Sequence, residues 1–250
     1  MTLDGKVALV TGASRGIGAA VATKLGSHGA AVVVNYYANE HGADERAQAE
    51  EVVQAIQQRG GNAVAAAGDV SDDEQLRGLF DVAEQQLGGL DILVNNAAAW
   101  RFSPIANAAD DDFDAIFATG ARAAFIAMRE AANRMRDGGR IVTIGAGLVR
   151  MPRPGTGLYG ASKAATDHLV RVLATELGPR QITVNSVLPG ATNTDALKAL
   201  DQTALDAEIA RTPLGRVGEP GDIASVVAFL ASEEGRWVTG QRIGAGGGMF

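Results

Sequence analysis

A single α/β domain, built on a doubly wound parallel sheet with helices on both faces, is the fold this sequence predicts. Three observations predict it. Short β-branched runs alternate with long amphipathic stretches along the whole chain. The short runs are continuously apolar, as strands covered on both faces are. Paired glycines close several of the long stretches just before the next run, where helix ends favour them.

Taken in order, KVALV (6–10) is the first strand and leads into a helix over 16–28. AVVVN (31–35) follows, then a helix over 44–59. The entry to that helix, ANEHGADERAQAE (38–50), reads as a solvated loop and helix face. NAVAAA (62–67) precedes a helix over 73–88, and DILVN (91–95) precedes a long one over 111–136. RIVTI (140–144) precedes a helix over 158–178, and ITVNSV (182–187) follows it. Gly60-Gly61, Gly88-Gly89 and Gly138-Gly139 punctuate the helix ends. This is the β-α-β-α order of a Rossmann-type sheet. With no linker, repeat or low-complexity tract, one domain over 1–250 is expected.

Composition narrows the function classes. The chain has 250 residues, 46% apolar and 20% charged, enough to bury a core without staples. It has no cysteine, which excludes disulfides and thiolate metal sites. Its three histidines, His28, His41 and His168, are scattered, so no metal site is expected. A net charge of −7 disfavours nucleic acid as a partner. The start, MTLDGKVALVTG, lacks the basic-then-apolar layout of a secretion signal. No apolar run reaches the roughly 18 residues that span a bilayer. A cytoplasmic protein without a membrane partner is the expectation.

TGASRGIG (11–18) follows the first strand and opens a helix. Gly12, Gly16 and Gly18 allow a tight turn and close approach to a pyrophosphate, which the helix amino terminus attracts. Tyr159 and Lys163 are four apart and share one face of a helix. A neighbouring ammonium favours the phenolate, which should bring the phenol closer to neutrality. Tyr-x-x-x-Lys alone is common; its place after RIVTI and before VNSVLPG makes it informative.

These motifs, with Asp69-Val70, NNAA (95–98), YGASK (159–163), VNSVLPGATNT (184–194) and VTGQ (238–241), resemble the short-chain dehydrogenase/reductase family over nearly the whole length, especially its 3-oxoacyl reductases. The resemblance implies a hydride-transferring enzyme. It implies Tyr159 and Lys163 as catalytic residues, Lys163 also reaching the nicotinamide ribose. Around the cofactor it implies Ser14, Arg15 and Ile17 in the glycine loop, with Asp69 and Val70 at the adenine. Asn96 and Ala97 would lie along the ribose, with Asn95 tying neighbouring strands. Pro189, Gly190, Thr192 and Thr194 would hold the nicotinamide amide and phosphates. Residues 195–215 resemble a substrate lid, although Leu197, Leu200, Leu205 and Ile209 could equally be helix packing. Dimers or tetramers would pack through helices 111–136 and 158–178.

Cofactor choice follows from the second strand. It ends at Asn35 and Tyr36, with no carboxylate to grip a ribose 2′-hydroxyl, and Arg15 can pair with a 2′-phosphate. NADPH/NADP+ is therefore expected.

The site also departs from the family pattern. The usual serine lies thirteen residues before the tyrosine, and residue 146 is alanine between Gly145 and Gly147. Thr143 is near but lies within the strand. The usual asparagine of the long helix is replaced by Gly120 in FDAIFATGARAAF, and Ala98 stands where a glycine is usual. Trp100, Gly120, Ala146 and Arg150 are the candidate substrate-pocket residues; Arg101 and Arg153 lie nearby.

Loss of one oxyanion donor costs about 10²–10³ in rate. Three readings follow. A protonated imine, or an iminium from a hemiaminal, makes no oxyanion and needs no serine; this reading is favoured. A carbonyl reductase could use Tyr159 alone or a group of its substrate. A protein could also bind NADP(H) with little chemistry, though retention of Tyr159 and Lys163 argues against it.

Overall fold

The computed structural model describes residues 1–38, 43–198 and 200–250. Among these residues, seven parallel strands form one sheet in the order β3-β2-β1-β4-β5-β6-β7. They are β1 (Val7–Val10), β2 (Ala31–Tyr36), β3 (Ala63–Ala67), β4 (Ile92–Asn95), β5 (Arg140–Ile144), β6 (Thr183–Pro189) and β7 (Arg242–Ala245). The helices are α1 (Gly16–Ser27), α2 (Ala43–Gln57), α3 (Asp73–Leu87), α4 (Asp110–Phe117), α5 (Ala123–Arg134), α6 (Gly157–Leu177), α7 (Asp195–Lys198), α8 (Gln202–Arg211) and α9 (Pro220–Ala231).

Side chains alternate across each strand, so each strand serves two cores. Ala8 and Val10 of β1 join Val21 and Leu25 of α1 and Val227 of α9 on one face. Val7 and Leu9 join Leu79 and Phe80 of α3 and Val170 of α6 on the other. Burial on both faces explains why these strands read as unbroken apolar runs. Local chemistry sets the ends: the Asp72 carboxylate accepts the N–H groups of Glu74 and Gln75 at the start of α3, and Gly88 closes it at φ 88°.

β1 pairs with β2 on one side and β4 on the other. The strand order reverses there, which opens a crevice at the carboxyl ends of β1 and β4.

Three features differ from expectation. The 111–136 stretch is not one helix: a π turn at Ala118–Arg122 separates α4 from α5. β7 is an added edge strand, paired with β6 from Ser186 to Pro189. α9 is an added core helix whose Ile223, Ala224, Val227 and Leu230 are buried. Its start was readable: Pro220 opens it, and the Asp222 carboxylate accepts the Glu219 N–H at 2.7 Å. Of the polar entry at 38–50, residues 39–42 lie outside the described residues, as does 199 within the 195–215 segment. Among the described residues no helix is long and apolar enough to cross a membrane.

Candidate active site

The glycine loop sits in the crevice between β1 and β4. Gly12 and Gly16 have φ of 59° and 57°, the left-handed region that glycine adopts without strain. A Cβ on Gly18 would overlap the Gly12 carbonyl, so the loop closes only around hydrogen. α1 begins with no side-chain cap and no acid in its first turn. Its free N–H groups and positive dipole end fit a pyrophosphate. Ser14, within the loop, is buried.

Neighbouring strands hold this loop. Thr11 Oγ1 accepts the N–H groups of Asn96 (2.9 Å) and Ala97 (3.1 Å). Asn96 Nδ2 donates to the carbonyls of Thr11 and Gly12, both at 2.9 Å. The strand-tying amide is therefore Asn96 and not Asn95, whose Nδ2 is buried without a partner among the described residues. The 189–194 segment closes the far side, with Thr194 Cγ2 3.4 Å from where a Gly16 Cβ would stand. Thr192 Oγ1 donates to Gly190 O at 3.0 Å, and Gly190 packs against Gly246 at the end of β7. Asp69 accepts from Ser71 N and Oγ, shaping the turn into α3, and Val70 is buried.

Asn35 needs correction. It is buried, accepts the Gly12 N–H at 2.9 Å and donates to Gly68 O, Tyr36 O and Ala66 O at 3.0, 3.2 and 3.3 Å. Its amide is fully used inside the protein, so it frames the glycine loop instead of facing a nucleotide. Tyr36 is buried beside it, and its carbonyl also accepts the Gly68 N–H. Arg15 pairs with Glu45 and Asp195, acids that the motif reading did not connect to it.

Tyr159 and Lys163 come together on α6. Lys163 Nζ lies 5.7 Å from the centre of the Tyr159 ring and donates to Ile144 O at 2.7 Å. Burial pulls the Lys163 ammonium down to about 8, partly opposed by Asp167. Burial also pushes the Tyr159 phenol up to about 12. The expected lowering of the phenol is thus absent in the chain alone, because desolvation disfavours its anion. Asp167, one turn beyond Lys163, accepts from Ser186 Oγ at 2.7 Å, and burial raises its carboxyl.

Ala146 is buried just beyond β5 with extended backbone, at the edge of the site. Gly120 does not open space for a substrate. A Cβ there would overlap Ser162 Oγ, which accepts the Ala121 N–H at 3.0 Å and donates to Ile116 O at 3.3 Å. Gly120 instead helps line a cavity of about 10 Å³ behind Lys163, with Thr143, Asn95 and Thr166. Space of this size holds about one water. Thr143 Oγ1 is buried there without a partner among the described residues, and Ala146 does not line this cavity.

An aromatic strip leads outward from the phenol. Phe102 meets Tyr159 edge to face at 6.0 Å between ring centres, and Trp100 meets Phe102 at 5.9 Å. Trp100 and Phe102 are exposed. The sequence reading named Trp100 but missed Phe102, although its position two residues on was a signal. Arg150 is also corrected: its guanidinium donates to Arg242 O at 2.7 Å and braces β7. Arg153 pairs at 2.5 Å with Glu208 of α8, and Arg101 at 3.3 Å with Asp112. A groove of about 530 Å³ runs along Gly157, Gly160, Ala161 and Ala164. Neither Tyr159 nor Lys163 lines it. Among the described residues no cluster of three metal-ligating side chains occurs.

Comparison with known proteins places this geometry. A family model described as enoyl-(acyl carrier protein) reductase matches residues 12–250. Versicolorin reductase of Emericella nidulans is 41% identical, covering 99% of this chain and 97% of its own. A trihydroxynaphthalene reductase of Pestalotiopsis fici is 41% identical, covering 98% and 90%. The crystal structure of the angucycline C-6 ketoreductase LanV with bound NADP superposes with a TM-score of 0.93 at 40% identity, covering 99% of this chain and 96% of that one. Matched from the glycine loop to the last residue, this chain belongs to the short-chain dehydrogenase/reductase family of oxidoreductases.

Proposed function

We propose that the protein is an NADPH-dependent ketoreductase whose substrate carries its carbonyl on a flat aromatic framework. The observation that carries this reading is the exposed strip Trp100–Phe102 ending on the Tyr159 ring. Flat rings stack on such a surface, at about 0.5–1.5 kcal/mol per aromatic pair beyond burial. Relatives named for versicolorin, trihydroxynaphthalene and an angucycline support the substrate class.

NADPH, bound at the glycine loop, supplies the hydride. Gly12, Ser14, Arg15, Gly16, Ile17 and Gly18 are proposed to hold its phosphates, with Asp69 and Val70 at the adenine. Asn96 and Ala97 are assigned to the ribose, and Pro189, Gly190, Thr192 and Thr194 to the nicotinamide end. Tyr159 gives the proton to the carbonyl oxygen as hydride reaches the carbon, and the Lys163 ammonium offsets the charge left on the phenol. Ala146 leaves Tyr159 as the side-chain donor to that oxygen. A hydroxyl next to the carbonyl on the substrate ring would supply the second hydrogen bond from within the substrate.

The iminium reading rests on Ala146 alone. A cation needs a charged partner. Glu208 is engaged by Arg153 and Arg211. Asp167 accepts from Ser186 through one oxygen and has no partner for the other among the described residues; burial raises its carboxyl, which disfavours the charged form. We further propose a cytoplasmic homo-oligomer packed through α4–α5 and α6, where Phe113, Phe125 and Val172 are exposed.

NADPH consumption tests the reading against a hydroxylated bicyclic aromatic ketone, an aliphatic 3-oxoacyl thioester and a cyclic iminium. The aromatic ketone should have the highest kcat/KM by about ten-fold or more, the scale of about 1.4 kcal/mol. Faster turnover of the iminium would replace this reading with the other.

A further inference from the structure

β2 ends without an acid, and taken alone that leaves room for a 2′-phosphate beside Arg15. In the folded chain a carboxylate reaches this place from another element. Glu45, in the first turn of α2, pairs with Arg15 at 3.2 Å. It also accepts the N–H of Tyr37, the first residue beyond β2, at 3.3 Å. Asp195, the first residue of α7, reaches the Arg15 guanidinium at 3.5 Å. The Glu45 side chain is 20% exposed and Asp195 67%, so solvent screens Glu45 less. Asp195 is also shared with Lys198 at 3.8 Å. Glu45 is therefore the stronger of the two competitors for Arg15.

We infer that Glu45, assisted by Asp195, tunes cofactor choice by competing with the 2′-phosphate for Arg15. This rests on the proposal that the glycine loop takes NADP(H). A 2′-phosphate brings nearly two negative charges towards an arginine already paired with two carboxylates. It must take the guanidinium from Glu45 or accept a like charge beside it. A 2′-hydroxyl does neither, and a carboxylate at the end of β2 can accept its hydrogen bond. Arg15 favours NADPH, and Glu45 holds that preference below what Arg15 alone would produce. The discriminating acid thus comes from α2 and not from the strand end.

Fluorescence titration of NADPH and NADH against the wild type, Glu45→Gln and Asp195→Asn tests this. Glutamine keeps an oxygen for the Tyr37 N–H and removes only the charge. Glu45→Gln should tighten NADPH about five-fold, the scale of a partly exposed charge pair, while NADH binding stays level or weakens. Asp195→Asn should shift the ratio the same way by less. Adenosine 2′,5′-bisphosphate against adenosine 5′-monophosphate should repeat the pattern, isolating the 2′-phosphate from the nicotinamide end. An NADPH-to-NADH ratio unchanged in both variants overturns the inference. Failure of the wild type to bind either dinucleotide overturns the proposed function instead. Should Glu45→Gln melt far below the wild type without cofactor, Asp195→Asn alone decides.

Discussion

Ala146 sits where the family pattern places a hydroxyl, and the extended backbone there accepts any side chain. Ala146→Ser therefore tests what the missing donor means. With a ketone that has no neighbouring hydroxyl, the serine should raise kcat by about 10²-fold, the scale of one oxyanion donor. With a ketone that carries its own hydroxyl, the gain should be no more than a few-fold. Equal gains on both substrates would contradict substrate assistance. Lys163 makes the second prediction at this scale. Burial places its ammonium at about 8, below its ordinary value of 10.5, so its charge is present below about 8 and lost above. Reduction needs that charge beside the phenol, and kcat/KM reports the free enzyme. A profile from about pH 6 to pH 10 should fall as pH rises through about 8; a flat profile would remove Lys163 from the proton step.

Between α4 and α5 the helix departs from its sequence period for a reason supplied by α6. Ser162 inserts its hydroxyl into the turn, bonding Ala121 N and Ile116 O, and Gly120 makes room for it. Gly120→Ala should therefore destabilise the fold by about 1–3 kcal/mol, as overpacking does. The double variant Gly120→Ala/Ser162→Gly should cost less than the sum of the two singles, since removing the hydroxyl relieves the overlap. Urea unfolding of all four proteins measures this, and strict additivity would separate Gly120 from Ser162. The amphipathic pattern over 111–136 runs straight through the break because both sides bury the same face. Nothing within that stretch announces a residue arriving from 41 positions away. At the amino end of the chain, by contrast, local signals sufficed. β1, the glycine loop and α1 were legible because a fully buried strand and a left-handed glycine turn each demand particular residues in sequence order.

At the scale of the whole molecule, the doubly wound sheet and six of its seven strands could be read from apolar runs and glycine punctuation. β7 could not: its four residues, RIGA, are too short and too little buried to carry a period. The sequence by itself determined the sheet, the glycine loop in the crevice and the Tyr159–Lys163 spacing, because each depends on residues within one turn or one strand of each other. Only the tertiary structure decided how the charges and amides between elements were matched. It turned Asn35 inward to hold Gly12, spent Arg150 on the edge of β7, and brought Glu45 from α2 to Arg15. Hydrogen bonds and ion pairs form between whichever groups the packed elements leave within about 3 Å. That partnership is a property of the assembled sheet and helices, and motif spacing along the chain does not contain it.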